Sequence, residues 1–163
     1  KDALERIFSA FPKSAVIEAR EILKKFFSSP IFKKLQRARR VLREVDFTMN
    51  GRRGLIHGKL DALFEDEKGE WHILDYKTAV RDEASSQKSA YDLQIGIYAL
   101  AASKVLGIPV RSGIVYYLKN GKEAVTSFPG GEEAAPHFDA IEKQVCDLQQ
   151  EILDFFNERL SYA

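Results

Sequence analysis

The sequence predicts an α/β fold in which a mixed β-sheet is flanked by helices. Hydrophobic residues recur at helical spacing in some segments and at alternate positions in others, and two Asn-Gly pairs indicate hairpin turns. The chain has 163 residues, of which 45% are hydrophobic and 30% are charged. These values fit a single domain over residues 1–163 with a substantial core, and the expected element order is αα-βββ-α-ββ-α.

Two helices are predicted at the start of the chain. Residues 14–28 place hydrophobic side chains at three- and four-residue steps, between Pro12 and Pro30. A second helix is expected from Ile31 to Val41.

Three strands are predicted next, as an antiparallel meander. The segment REVDFTMNGRRGLIHGKLDALF is typical of two long strands joined at Asn50-Gly51, a pair that type I′ hairpins prefer. EDEKGE forms a polar turn after it, and WHILDYKT supplies the third strand.

The remainder of the chain predicts a helix, a hairpin and a final helix. After a polar loop at residues 81–90, AYDLQIGIYALAASKVLG is expected to be a helix that ends at Gly107. SGIVYYLKNGKEAVTSF predicts a hairpin that turns at Asn120-Gly121. After the break at FPGGEEAAP, a long amphipathic helix is expected to begin at His137.

Composition excludes several classes of protein. No hydrophobic run approaches the ~18 residues that a membrane span needs. The single cysteine, Cys146, excludes an internal disulfide and a four-cysteine metal cluster, and it fits a cytoplasmic protein. The chain has no Gly-rich Lys-Ser/Thr loop for ATP. Because it begins with Lys1 rather than Met, we expect it to be a piece of a longer protein.

The charge is polarised along the chain. Residues 1–60 hold 15 Lys/Arg against 6 Asp/Glu, whereas the remaining residues hold 10 against 18. The densest basic segment runs from Lys33 to Arg43. It is either a surface for a polyanion or a solvated helix face, and charge alone does not separate these interpretations.

The predicted third strand ends in an acid and a lysine that share one face. Side chains alternate along a strand, so Asp75 and Lys77 point the same way as Trp71 and Ile73. If EDEKGE reverses the chain, Asp61 of the preceding strand comes close to Asp75. Two carboxylates ~4 Å apart repel by ~4 kcal/mol at an effective dielectric near 20, and Mg²⁺ or Mn²⁺ would turn that repulsion into attraction.

The lysine adds a chemical role to this acid pair. An ammonium beside two metal-bound carboxylates can orient an attacking water or stabilise charge on phosphorus. The commoner use of an isolated Asp-x-Lys pattern is a structural ion pair at the end of a strand. That alternative does not account for Asp61.

The motifs GKLDALF, WHILDYKT and YDLQIGIY, in this order, resemble the RecB/AddA-type nuclease domain of the PD-(D/E)XK superfamily. The resemblance covers about Glu44 to Leu118. It includes a glycine three residues before an aspartate (Gly58 and Asp61) and an Asp-Tyr-Lys-Thr sequence beginning at Asp75. The resemblance implies the fold of this superfamily, a restriction-endonuclease-like core. In this family the domain is often found at the C-terminus of UvrD-like helicases.

The resemblance also implies roles for individual residues. Asp61, Asp75 and the backbone carbonyl of Tyr76 are expected to bind Mg²⁺ or Mn²⁺, with Lys77 as the catalytic lysine. The expected substrate-binding residues are Tyr91, Gln94, Tyr98 and Thr78. On the helix, the stripe that contains Gln94 can either pack against the sheet or face the metal site and the substrate.

Glu44 matches a glutamate of the first strand and is expected to support the site from outside the metal ligands, although a salt bridge with an arginine explains it equally well. The implied activity is DNA exonuclease activity in recombination and repair. The implied partners are DNA and a UvrD-like helicase, which is either in the same chain or in a partner protein, without a membrane.

One departure from the family leaves an alternative open. Members of the family usually carry a metal-binding histidine on a helix upstream of the first strand, whereas the first histidine here is His57. The histidine either precedes this chain or is missing, which would weaken activity. The alternative functions are an inactive nuclease-like domain that binds DNA or braces a helicase, and a small-molecule-binding domain.

Overall fold

The computed structural model describes residues 10–78 and 87–160, which form a five-stranded mixed sheet between two layers of helices. The strands lie in chain order across the sheet, and the α/β class is confirmed. The elements are α1 (Lys13–Ser28), α2 (Pro30–Arg37), β1 (Arg40–Gly51), β2 (Gly54–Glu65), β3 (Trp71–Lys77), α3 (Gln87–Leu106), β4 (Val110–Tyr117), β5 (Lys122–Ser127), a 3₁₀ turn (Gly131–Glu133) and α4 (Ala134–Leu160).

Strand pairing confirms both the meander and the second hairpin. β1, β2 and β3 pair antiparallel, and so do β4 and β5. β3 and β4 run parallel, so the connection between them must cross the length of the sheet, and α3 lies in that connection. Residues 87–90, predicted as loop, belong to α3, and the rest of the predicted loop lies outside the described residues.

Each face of the sheet has its own hydrophobic core. α3 and α4 cover the face that contains Leu63 and Ile73, whereas α1 and α2 cover the face that contains Phe64 and Leu74. All four side chains are essentially inaccessible to solvent. Consecutive residues of β3 therefore contribute to different cores, as the period of two requires. Within the described ranges, no helix is both long and apolar enough to cross a membrane.

The break between α1 and α2 has a local cause. The Ser29 hydroxyl accepts a hydrogen bond from the backbone N–H of Phe32 at 3.2 Å and so caps α2. Pro30 occupies the first position of α2, where a helix needs no backbone donor. Ser29 and Pro30 together end one helix and begin the next without an intervening loop.

Two predicted helix boundaries are wrong. α2 ends at Arg37 rather than at Val41, because Val41 already belongs to β1 and packs against the core beneath α1 and α2. α4 begins at Ala134, before His137, because Pro136 is tolerated in the first turn of a helix.

The predicted tip of the first hairpin is also wrong. Gly51 pairs with Gly54, so Arg52 and Arg53 form the two-residue loop, and the predicted turn at Asn50-Gly51 lies inside β1. Gly54 has φ +133°, which favours a residue without a side chain. The hairpin was predictable, whereas the position of its tip was not.

The face alternation of β1 and β2 reverses at one level of the sheet. Val41 packs in the core beneath α1 and α2, but Val45 packs in the core beneath α3 and α4. Between them, Glu44 has φ +52°, a left-handed conformation that is strained for a residue with a side chain. The β1–β2 ladder omits the pair of Glu44 and Asp61 while keeping the pairs on either side. The reversal therefore lies at the candidate ligand Asp61.

Candidate active site

The C-terminal end of β3 carries the predicted acid and lysine on one face. Asp75 and Lys77 lie on the same face of β3 as Ile73, which packs in the core beneath α3. Asp75 is 2% exposed, and the Lys77 Nζ lies 2.8 Å from its Oδ2. A charge this deeply buried needs a compensating partner, and the ammonium provides it.

Asp61 approaches the same place from β2. The β2–β3 ladder ends at the pair of Ala62 with Leu74, and one further step in this register places Asp61 opposite Asp75. The Asp61 Oδ2 accepts a hydrogen bond from the backbone N–H of Tyr76 at 2.8 Å. This side-chain hydrogen bond therefore links β2 to β3 beyond the last backbone pair of the two strands. The structure brings the two predicted carboxylates to one end of the meander.

The electrostatics of Asp75 make it a suitable cation ligand. Burial raises the pKa of Asp75 above its ordinary value, the Lys77 ammonium lowers it, and the Asp61 charge raises it further. Its Oδ2 accepts no hydrogen bond of normal geometry from the described part of the chain, so its contact with Lys77 is an ion pair. Two converging carboxylates with this under-satisfied oxygen fit a hard divalent cation such as Mg²⁺ or Mn²⁺.

α3 supplies a second partner for the lysine. The Lys77 Nζ donates to the Gln94 Oε1 at 3.0 Å, and the Gln94 Nε2 donates to the Tyr98 hydroxyl at 2.7 Å. The ammonium also lies 5.2 Å from the centre of the Tyr91 ring, within the range of a cation–π contact. The helix stripe that contains Gln94 therefore faces the acid–lysine site rather than packing only against the sheet.

Burial and the site charges also shift the pKa of Tyr98. Burial raises the pKa of its hydroxyl, the bond with Gln94 lowers it, and the charges of Asp75 and Asp61 raise it while Lys77 lowers it. The hydroxyl is therefore protonated at neutral pH and lies within the field of all three charged residues.

Tyr76 and Thr78 occupy different positions around the site. The Tyr76 side chain points to the opposite face, where its ring meets the Phe26 ring edge-on with centroids 5.5 Å apart. Burial raises the pKa of the Tyr76 hydroxyl, and the charge of nearby Arg43 lowers it. Thr78 is exposed just after β3. The Tyr76 carbonyl as a ligand and Thr78 as a substrate contact stay predictions.

The side chains of Glu44 and His57 contact residues other than the acid pair. The Glu44 Oε2 is 3.4 Å from the Lys59 Nζ, so this exposed glutamate pairs with a lysine of β2 rather than with an arginine. The link between Glu44 and the site is its backbone, which is strained opposite Asp61. The His57 Nδ1 is 2.9 Å from the Thr48 hydroxyl on the exposed surface of the first hairpin.

A second group of ligand-type residues lies at the opposite end of β3, and sequence reasoning missed it. Asp66, Glu70 and His72 place one ligand atom each within 4.8 Å of one another. The Asp66 Oδ1 accepts hydrogen bonds from the backbone N–H groups of Lys68 and Glu70, both at 2.9 Å. The turn EDEKGE contains Asp66 and Glu70, and His72 follows two residues later, but only the polarity of the turn was used in the prediction.

The basic segment is spread along the sheet, because Arg40 pairs in register with Glu65, which pairs with Trp71 at the N-terminal end of β3, away from the candidate site. Its charged side chains are exposed, and the members are Lys33, Lys34, Arg37, Arg39, Arg40 and Arg43. Arg39 and Arg40 lie 3.9 and 3.5 Å from Glu65. Arg43 pairs in register with Ala62, next to Asp61. The charge prediction treated this segment as a whole and did not single out Arg43.

Comparisons with known proteins support the resemblance that the sequence motifs indicate. The sequence profile of the PD-(D/E)XK nuclease superfamily matches residues 1–161. The chain is 32% identical over 108 residues to an ATP-dependent helicase/nuclease subunit of Lysinibacillus sphaericus, covering 58% of this chain and 9% of that protein. It is 35% identical over 114 residues to the protein of the same name from Desulfitobacterium hafniense, covering 63% of this chain and 8% of that protein.

The chain thus spans less than a tenth of the length of these relatives. Among solved structures, the crystal structure of SSO0001 is similar with a TM-score of 0.45 and 17% identity. That similarity covers 86% of this chain and 64% of the other.

Proposed function

The chain belongs to the PD-(D/E)XK nuclease superfamily, and from this membership we propose that it is a metal-dependent DNA exonuclease domain that hydrolyses phosphodiester bonds during recombination and repair. The observation that supports this most is the convergence of Asp61 and Asp75 with the Lys77 ammonium at one end of β3. The arrangement combines an acid pair suited to a divalent cation with a positive charge, and both can contribute to metal-assisted phosphodiester hydrolysis.

The proposed cation ligands are the carboxylates of Asp61 and Asp75 and the backbone carbonyl of Tyr76. Mg²⁺ or Mn²⁺, when bound, would polarise the scissile phosphate and lower the pKa of a bound water. The Asp61 carboxylate is held by the Tyr76 N–H at 2.8 Å, and Asp75 is fixed by burial, so both ligands are oriented before a cation arrives.

Lys77 has the position and charge for the chemical step. Its ammonium would orient the attacking water and neutralise the negative charge that develops on the phosphoryl oxygens. Gln94 and Tyr91 contact the ammonium on the α3 side and Tyr98 contacts Gln94, and this border is the proposed place for the nucleotide. Thr78, exposed at the end of β3, is proposed as a further substrate contact.

DNA is the proposed substrate, and a helicase is the proposed partner. Arg43 would bind a phosphate next to Asp61, the rest of the basic segment Lys33 to Arg43 would bind phosphates farther from the site, and such contacts weaken steeply with salt. The helicase would be a UvrD-like region of the same chain or a separate protein, since the two relatives are helicase/nuclease subunits of which this chain matches a small part. The proposed location is the cytoplasm, because the two relatives come from bacteria, whose DNA lies in the cytoplasm.

Digestion of end-labelled DNA in Mg²⁺ tests this proposal. We expect the wild-type chain to release label, Lys77→Ala to be slower by roughly 10³-fold or more, and EDTA to stop the reaction. Lys143→Ala, which removes an exposed lysine of α4, is the matched control and should digest at the wild-type rate. Equal digestion by wild type and Lys77→Ala would show that the acid–lysine site does not carry the activity.

An inactive DNA-binding domain is the second candidate function. It is motivated by the lack of a histidine before His57 in a chain whose relatives use one upstream. In that case the wild-type chain would bind the end-labelled DNA in a gel-shift experiment. The digestion assay would show no release of label at any Mg²⁺ or Mn²⁺ concentration.

A further inference from the structure

Within the described ranges, the Lys77 ammonium has two polar partners, the Asp75 carboxylate and the Gln94 amide oxygen. We propose that Gln94, supported by Tyr98 and Phe47, is a positioning residue that keeps the Lys77 ammonium in place when Asp75 binds a cation. This inference rests on the proposed function, because it assigns the part of the site that fixes the catalytic lysine.

The need for a second holder follows from the position of the ammonium. The Lys77 Nζ lies 2.8 Å from the Asp75 Oδ2, the same carboxylate that would bind a divalent cation. A cation and an ammonium repel each other when they share one oxygen. The Gln94 Oε1 at 3.0 Å and the Tyr91 ring at 5.2 Å do not depend on Asp75. Of these two contacts, the Gln94 hydrogen bond is the one that restrains the ammonium protons, so it can retain the lysine after Asp75 changes its partner.

The orientation of the Gln94 amide is fixed by its two neighbours. An ammonium can only donate, so the amide oxygen must face Lys77, and the amide nitrogen then faces the Tyr98 hydroxyl at 2.7 Å. Gln94 and Tyr98 are four residues apart on α3 and so lie on the same face. Both ends of the amide are engaged within the protein, which favours holding the lysine over direct contact with DNA.

Phe47 and Gly58 fix Tyr98 from the sheet. The Tyr98 ring meets the Phe47 ring edge-on, with centroids 6.0 Å apart and an angle of 79° between the planes. Phe47 is 4% exposed and pairs in register with Gly58, where an added Cβ would lie 2.6 Å from the Phe47 Cζ. The missing side chain at Gly58 therefore lets the Phe47 ring support Tyr98.

NMR of the lysine ammonium groups tests this proposal directly. Ammonium protons exchange with water too quickly to be observed unless an ion pair or a hydrogen bond holds the group. The proteins to compare are the wild type, Asp75→Asn, Gln94→Leu and the double variant, and the Lys77 signal is assigned by its loss in Lys77→Arg. Gln144→Leu, an exposed glutamine of α4, is the matched control. Backbone amide spectra confirm that each variant is folded.

Without a divalent cation, we expect the Lys77 signal in the wild type, in each single variant and in Gln144→Leu, and its loss in the double variant. Absence of the signal in Asp75→Asn, or its survival in the double variant, would overturn the proposal. With saturating Mg²⁺, the wild type should keep the signal and Gln94→Leu should lose it. If Mg²⁺ binds and Gln94→Leu still shows the signal, Gln94 is not the holder.

This experiment separates the inference from the proposed function. If calorimetry shows no binding of Mg²⁺ to the wild-type chain, the nuclease proposal fails, yet the cation-free spectra still decide whether Gln94 holds Lys77. If Mg²⁺ binds and DNA is cleaved while the double variant keeps its Lys77 signal, the nuclease proposal stands and the positioning role is excluded.

Discussion

The two ends of β3 carry similar residue types in different environments. At the C-terminal end, Asp75 is buried, and its Oδ2 accepts no normal hydrogen bond from the residues that the structure describes. At the N-terminal end, the Asp66 side chain is 28% exposed, and two backbone N–H groups already bond its Oδ1. Burial raises the pKa of Asp75, whereas the backbone hydrogen bonds, acting against partial burial, lower the pKa of Asp66.

This difference shows what separates a candidate cation site from a cluster of ligand-type residues. Asp66, Glu70 and His72 have ligand atoms close together, but several of their polar atoms already make hydrogen bonds within the protein. Asp66 bonds the backbone of its own turn, and the His72 Nδ1 is 2.8 Å from the Ser112 hydroxyl. Among the described residues, the buried Asp75 Oδ2 is instead compensated by the Lys77 ammonium alone. An incompletely satisfied buried charge is the stronger indication of a ligand.

Neutralising one acid at each end of β3 should give the largest contrast. We expect Asp75→Asn to reduce Mg²⁺-dependent DNA cleavage by roughly 10³-fold or more, because it removes a proposed cation ligand. Asp66→Asn should stay within about twofold of the wild type, as for other surface substitutions. Initial cleavage rates measure both. A large loss in Asp66→Asn with little change in Asp75→Asn would reverse the assignment of the two ends.

Adding one methyl group at each end should give a smaller contrast. Gly58→Ala forces the Phe47 ring to move and should reduce the free energy of unfolding by about 1–3 kcal/mol. Gly69→Ala, at φ +86°, should reduce it by about 1–2 kcal/mol. Urea unfolding measures both losses. At a temperature where both variants are folded, only Gly58→Ala should also slow DNA cleavage. Equal cleavage rates in the two variants would show that the position of the Phe47 ring does not affect the site.

The two acids should also give opposite pH dependences of stability in the absence of a divalent cation. Because the folded-state pKa of Asp75 is raised, its stabilising contribution is present below the ordinary value of 3.8 and is lost as pH rises through the folded-state pKa. Asp66 has a lowered pKa, so its contribution is present above 3.8 and is lost as pH falls through the folded-state pKa.

Urea unfolding of Asp75→Asn and Asp66→Asn against the wild type over a pH series measures these contributions. The stability of Asp75→Asn relative to the wild type should rise as pH increases, and that of Asp66→Asn should fall. A change of the same sign in both variants would mean that the two carboxylates do not differ in environment.

The smallest expected effect concerns DNA binding near each end. Arg43 lies beside Asp61, whereas the Arg111 Nε lies 3.9 Å from the Glu70 Oε1 near the other end. Arg43→Ala should reduce the slope of log affinity against log salt by about one, because one phosphate contact is lost. Arg111→Ala should leave the slope unchanged. Fluorescence anisotropy with labelled DNA measures both slopes, and identical slopes in the two variants would argue against a phosphate contact by Arg43.

The sequence was sufficient wherever a local pattern determined the structure. The period of two along WHILDYKT placed Asp75 and Lys77 on one face, and the polar turn before it brought Asp61 opposite Asp75. Helix α3 was predicted from its hydrophobic spacing, and its end at Gly107 follows from φ +67° at that residue. These features depend on neighbouring residues alone.

The features that the sequence did not predict depend on distant contacts or unusual backbone. The left-handed Glu44 has no local signal, because a non-glycine residue adopts φ +52° only when the surrounding sheet imposes it. The pairing of Gln94 with Lys77 requires α3 to dock on β3, which helical periodicity does not specify. The buried ring of Phe47 opposite Gly58 could have been suspected only from the pairing register of β1 with β2.

Calorimetric titration with Mn²⁺ tests most directly whether Asp61 and Asp75 form the cation site. The wild type and Asp66→Ala should give matching binding isotherms, whereas Asp75→Ala should give only the heat of dilution. If Asp75→Ala binds Mn²⁺ as the wild type does and Asp66→Ala does not, the cation site lies at the other end of β3 and its assignment to Asp61 and Asp75 is wrong.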